Sequence, residues 1–178
     1  MSVRIRVATS LDRDDIRDVH LSAFPECESQ LVAELAANLL NEDTDPETIT
    51  LVAEAGGQVV GHIAFSPVTA DSRNRWLGYI LGPLGVKPDY HKAGIGSKLV
   101  KSGIERLSEK GVNVVFVYGD PAFYQRFGFS AEAATRFLPP YELKYPFGWQ
   151  AMTLHESGTN ERAVQLSCAA SLRNPALW

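Results

Sequence analysis

Cysteine is scarce in this 178-residue chain: Cys27 and Cys168 stand far apart, with no Cys-x-x-Cys pair. That spacing excludes a disulfide framework and offers no zinc-ligand pattern, so no metal is expected, and a reducing compartment, the cytoplasm, is. Positive charge is not in excess either. Seventeen Lys and Arg against twenty-one Asp and Glu give a formal net charge of -4, and the isoelectric point is near 5.6. A general nucleic-acid binder needs a basic surface running past many phosphates, so that class is excluded, although a local basic pocket is not. No apolar run reaches membrane length, so no membrane partner is expected. The opening segment alternates Val3, Ile5 and Val7 with Arg4 and Arg6 and then meets Asp12, Arg13, Asp14 and Asp15, which lacks the apolar centre of a secretory signal. Repeats, low-complexity tracts and linker-like stretches are missing as well, so residues 1–178 are expected to form one domain.

What is present suits a packed core. Hydrophobic residues make up 45% and charged residues 21%, enough apolar surface to offset the entropy of ordering a chain. The alternation at Val3 to Val7 predicts a half-buried strand. Asp12 is placed to N-cap a helix, with Asp15 as the capping-box acid and Ile16, Val19, His20, Ala23 and Phe24 at helical spacing until Pro25. A second helix is predicted from about Glu28 to Leu40 on the Leu31, Leu35, Leu39 stripe. Two β-rich runs, Ile49 to Glu54 and Gln58 to Phe65, flank Gly56-Gly57 and predict an antiparallel hairpin. The next run, Trp76 to Val86, is interrupted at Gly82-Pro83, which predicts a bulge or a splay. Ile95, Leu99, Ile104 and Leu107 form a helix stripe that stops at Gly111. A buried strand follows from Val112 to Tyr118, then a short helix capped by Asp120, started by Pro121 and ended at Gly128. Strands are expected after Phe129, among them one from Trp149 to Glu156, and a last strand in the tail of about 159–178.

The segment from Leu84 to Ser97 leaves a strand, turns on glycines and opens an amphipathic helix. Unpaired N–H groups at a helix start, together with the positive end of its dipole, favour a phosphate, and glycine lets the backbone approach it closely. His91 and Lys92 add charge. A sharp loop with no ligand would use Gly94 and Gly96 equally well. A Walker loop requires Gly-Lys followed by Ser or Thr, whereas the chain has Gly96-Ser97-Lys98. A dinucleotide fingerprint requires a third glycine where Leu99 stands.

His91-Lys92-Ala93-Gly94-Ile95-Gly96 resembles the cofactor loop of the Gcn5-related N-acetyltransferases: Gln or Arg, two residues, Gly, one residue, then Gly or Ala. The resemblance extends to Leu84-Gly85-Val86 before it and to the run from Tyr118 to Phe129 after it, which is similar to the YhbS-like subgroup. Two departures stand out: His91 replaces the usual Gln or Arg, and no Asn precedes Tyr124 where many members have one. The resemblance implies a mixed α/β (α+β) domain, with a mostly antiparallel twisted sheet, a splayed strand pair and flanking helices. It implies acetyl-CoA, or another acyl-CoA, as co-substrate and an amine acceptor acylated directly in a ternary complex. It further implies cofactor contacts from Leu84, Gly85, Val86, His91, Lys92, Ala93, Gly94, Ile95, Gly96 and Ser97, with backbone groups of Leu84 and Val86 facing the cofactor. Tyr124 would then be the general acid toward the departing thiolate. A phenol with a reference pKa of about 10 remains protonated at neutral pH and can donate. His62, Glu28, Glu34 and Asp71 are the residues considered for the base, and none is assigned. A basic loop at Ser72-Arg73-Asn74-Arg75 is a possible contact for an acidic substrate. A homodimer is compatible with the family. An acyl-CoA sensor without catalysis and a nucleotide-phosphate binder are the competing classes.

Overall fold

Hydrophobic alternation in the first half of the chain builds most of one sheet. The structure, a computed structural model, describes residues 2–70, 75–155 and 162–178; Asp71, the loop 72–74 and Glu156 therefore lie outside the described residues. Strands β1 (Val3–Val7), β2 (Ile49–Ala55), β3 (Gln58–Ala70), β4 (Arg75–Val86), β5 (Val114–Tyr118) and β7 (Trp149–Thr153) lie side by side in the order β1-β2-β3-β4-β5-β7. Every neighbouring pair is antiparallel except β4 and β5. Two short strands, β6 (Phe137–Leu138) and β8 (Val164–Ser167), pair with each other, and β8 joins the far end of β3 at Thr69 and Ala70.

Helices cover both faces. Helix α3 (Ile95–Glu109) packs Ile95, Leu99, Val100 and Leu107 against Leu51, Ile63, Phe65 and Val115 on one face. On the other, α2 (Glu26–Asn41) sets Leu35 and Leu39 against Ala64, Ile80 and Phe116, together with Leu166, Leu172 and Trp178 from the C-terminal segment. Helix α1 (Arg13–Ala23) adds Ile16 and Val19 above Val52 and Val59. A short helix, α4 (Pro121–Tyr124), follows β5.

Several boundaries depart from the sequence-based expectation. The N-terminal cap lies one turn earlier: Thr9 caps a 3-10 turn at Ser10–Asp12 and Asp12 completes the capping box, while Asp12 makes no side-chain cap to α1. Its carboxylate instead accepts from Nη1–H and Nη2–H of Arg6, each at 2.8 Å, and Arg6 Nε–H donates to Glu54 at 2.7 Å. The hydrogen bonds from Arg6, aided by the one from Thr9 N–H and by the Arg6 charge, hold Asp12 down to about pKa 2. Such a cross-element ion pair leaves no periodic trace in a sequence. Strand β3 runs five residues past Phe65 because β4 and then β8 supply partners, whereas β7 stops at Thr153, before Glu156. In the described part of the tail, 162–178, one short strand is followed by two 3-10 turns, Ala170–Leu172 and Pro175–Leu177.

Candidate active site

The interruption at Gly82-Pro83 shapes the site. Ile63 pairs with Leu84 and Phe65 with Leu81, so three steps on β4 match two on β3, and the surplus residue bulges. The parallel ladder between β4 and β5 covers only Tyr79, Ile80 and Leu81. Beyond Leu81 the two strands part. Lys87 N–H donates to Val60 O at 2.8 Å, and groups alternate sides along an antiparallel strand. The backbone groups of Gly85 therefore face β3, while those of Leu84 and Val86 face the open edge.

At the end of that edge the chain turns through a 3-10 turn at Pro88–Tyr90 and enters α3 on Gly94, whose φ of 76° is left-handed and suits glycine. No side chain caps α3, so the N–H groups of its first turn are open to a ligand. A cavity of about 610 Å³ lies there, lined by Leu84, Gly85, Val86, His91, Lys92, Gly94, Ile95, Gly96 and Ser97. Of the cofactor-loop residues singled out from sequence, only Ala93 is outside the lining, and it is exposed. Arg126, unassigned from sequence although it lies in the Tyr118 to Phe129 run, lines the same cavity and sits 4.9 Å over the Phe123 ring. His91 is differently employed: its Nε2–H donates to Val86 O at 2.8 Å, tying the loop to the strand end. Among the described residues that line the cavity, Lys92 and Arg126 bring the other cationic side chains. A methyl at Gly96 would meet Phe123 and Val86 only at 3.7 and 3.9 Å, ordinary contact distances, so packing does not demand glycine there.

A second cavity, about 430 Å³, opens inside the splay and shares Phe24, Leu84 and Phe123 with the first. Asp120 caps α4 by accepting from Ala122 N–H at 3.0 Å, with Pro121 at the first helical position, and this presents Tyr124 to the cavity. The Tyr124 ring lies against Gly119, where a Cβ would come within 2.5 Å of it, and is wedged edge-on between Phe123 and Phe129. Burial, reinforced by the Asp120 charge, pushes its phenol well above the usual tyrosine range. A phenol so shifted keeps its proton at every working pH and serves as a standing hydrogen-bond donor.

Among the described candidates for a base, none lines either cavity. Glu28 and Glu34 are exposed on α2. His62 is fully buried, its Nδ1 2.8 Å from Nε2 of the equally buried His20, and burial holds both imidazoles neutral. His20 lies behind β4: a Cβ on Gly85 would come within 2.7 Å of its Nδ1, so only glycine fits at that position. Cys27 is exposed; Cys168 is buried, and burial raises its thiol to about 11, an unreactive value. Sequence reasoning missed Leu172, Leu177 and Trp178, which wall the second cavity; no local motif signals a chain segment that returns from so far away.

Comparison with known proteins agrees with this geometry. The model of the acetyltransferase (GNAT) family matches residues 13–129. The uncharacterized N-acetyltransferase YjhQ of Escherichia coli K12 is 37% identical over 134 residues, covering 74% of this chain and 72% of that one. YhbS from the same strain is 37% identical over 131 residues, covering 72% and 74%. The crystal structure of Escherichia coli YhbS in complex with CoA superposes with a TM-score of 0.82 at 28% identity, over 97% of this chain and 92% of that one. A GNAT family acetyltransferase from Brucella melitensis in complex with acetyl-CoA gives 0.69 at 29% identity, over 96% and 97%. By sequence, by fold and by the parted strands beside an open helix end, this chain belongs to the acetyltransferase (GNAT) family.

Proposed function

We propose that this chain is a cytoplasmic N-acetyltransferase in which the pyrophosphate of acetyl-CoA rests on the start of α3 and the thioester lies along the open edge of β4. The observation that carries this is the continuity of the two cavities through Leu84 and Phe123, along an edge where β4 has lost its neighbour. Related proteins captured with CoA and acetyl-CoA support the same occupant. Lys92 and Arg126 add charge to the helix-end N–H groups, and the amide-bearing pantetheine arm takes hydrogen bonds from the free edge as an added strand would.

The chemistry needs little from side chains. The neutral amine nitrogen bonds to the thioester carbon, the carbonyl oxygen gathers charge, and the Leu84 N–H on the open edge is the donor best placed to hold it. The C–S bond then breaks with its electron pair on sulfur. Tyr124 donates its O–H to that sulfur, and the proton the amine sheds balances the thiol that leaves. Because the Tyr124 phenol is pushed up, donation of a hydrogen bond is favoured over outright loss of the proton.

Thermal unfolding with CoA, ATP and NAD separates this from a nucleotide-phosphate site: CoA and acetyl-CoA are expected to raise the midpoint, the others not. Thiol release in the presence of an amine panel then separates an enzyme from a silent acyl-CoA sensor. Stabilisation by ATP equal to that by CoA, or binding without thiol release across the panel, would overturn the proposal.

A further inference from the structure

The second cavity is large for an acetyl group, and its far side is apolar. Val32 and Leu35 of α2, Ile80 of β4 and Leu172, Leu177 and Trp178 of the C-terminal segment form that side. Among the described lining residues Asp120 is the only one with a charged side chain, and it stands next to Tyr124, where the reacting amine must arrive.

The apolar side is firmly built. The Glu42 carboxylate accepts from Ala170 N–H at 3.0 Å and from Ser171 N–H at 2.8 Å, and it also takes the Ser171 hydroxyl. The Trp178 indole N–H donates to Leu172 O at 3.0 Å, and its ring stacks on Tyr118 at 6.1 Å and 12°. A ring so held keeps an apolar surface toward whatever enters.

We infer that the acceptor is a primary monoamine carried on an aryl or branched-alkyl body, its ammonium drawn by Asp120 and its body packed against Leu35, Leu177 and Trp178. The inference rests on the acetyltransferase reading of the site. A polyamine, an amino sugar or a lysine-bearing peptide would bring further charges or hydroxyls against Val32, Leu35 and Leu177, which offer them no partner, and an unpaired buried polar group is strongly disfavoured. An apolar body gains with each square ångström removed from water. The acetyl group and the end of the pantetheine arm lie on the β4 edge from Leu81 to Leu84, so the lining from α2 and the C-terminal segment is left to the acceptor. As the neutral amine attacks, its nitrogen gains the acetyl carbon, the C–S bond breaks with its electron pair on sulfur, and the proton that nitrogen sheds to solvent is matched by one taken up by the thiolate, so that coenzyme A leaves as the thiol.

The test begins with calorimetry of acetyl-CoA, since absence of binding defeats the underlying reading and not this inference alone. With binding established, initial thiol release is compared for 2-phenylethylamine and 3-methylbutylamine against spermidine and Nα-acetyl-lysine amide. The apolar pair is expected to show kcat/KM about 10-fold or more above the polar pair. Equal or faster turnover of the polar pair, or no turnover of the apolar pair, overturns the inference. Asp120→Asn keeps an efficient helix cap, so melting temperature and acetyl-CoA affinity should hold while KM for 2-phenylethylamine rises about 10-fold; an unchanged KM removes Asp120 from the account. Octanoyl-CoA supplies the last arm: preference for it over acetyl-CoA would assign the cavity to the acyl chain and contradict an acceptor site.

Discussion

The two cavities that meet at Leu84 are built in opposite ways. The one at the start of α3 is formed mainly by the stretch Leu84 to Ser97, with Phe24, Phe123 and Arg126 beside it, and works mainly through backbone N–H groups that any sequence able to make the turn would present. The one inside the splay is formed by Phe24 just past α1 and by residues of α2, β4, β5, α4 and the tail, and works through their shape and polarity. Cofactor recognition by backbone tolerates side-chain change; acceptor recognition by side chains changes with every substitution. A family can therefore keep one ligand and vary the other.

The largest expected effect concerns the junction. Behind Gly85 the His20–His62 pair is held neutral by burial, His20 down at about pKa 4. Unfolding frees both imidazoles to bind protons near 6.5, so the unfolded chain holds more protons below that value. Stability is then full above pH 6.5 and falls as pH drops toward 4. For His20 alone the loss is on the order of 3 kcal/mol. Urea midpoints taken between pH 7.5 and 5, above the carboxylate range, should decline, and the decline should flatten in a His20→Leu, His62→Leu variant. A flat wild-type profile would remove the pair from the acid response.

Next comes Tyr124→Phe, which leaves the ring wedge between Phe123 and Phe129 and removes only the donor. Turnover is expected to fall about 100-fold with acetyl-CoA affinity nearly unchanged, a contrast that locates Tyr124 in the second cavity's chemistry. Equal loss of affinity would place it in the cofactor grip instead. Smaller still is Gly96→Ala. The added methyl fits at ordinary distances and improves helix propensity by roughly 1 kcal/mol at most, so the melting temperature should hold or rise, while acetyl-CoA binds about 10-fold more weakly because the backbone can no longer be approached. Unchanged affinity, measured by calorimetry, would mean that the glycine serves the loop alone.

The same contrast explains what the amino-acid sequence discloses. Gly94, Gly96 and the stripe of α3 are neighbours in the chain, so the anion site, its helix and the Asp120-Pro121 start of α4 are all legible from local spacing. The bulge at Gly82-Pro83 is legible for the same reason, since proline forfeits a ladder donor wherever it falls. Glu42 and Ser171 meet across 129 positions, and no periodicity in either neighbourhood announces the other. His20 reads as one more residue on a helix face and His62 as a candidate base, because burial and pairing belong to the fold. The Arg6–Asp12 pair beside the early cap at Thr9 likewise joins β1 to the 3-10 turn, a contact that exists only in the fold.

Amide hydrogen exchange with and without acetyl-CoA addresses the central claim most directly, because it reports on the backbone groups held to do the binding. Protection is expected at Gly94 to Ser97 and, on the open strand edge, at Leu84 and Val86, with little change at the solvent face of α2. Binding of acetyl-CoA that leaves the first turn of α3 exchanging at its free rate would contradict the account.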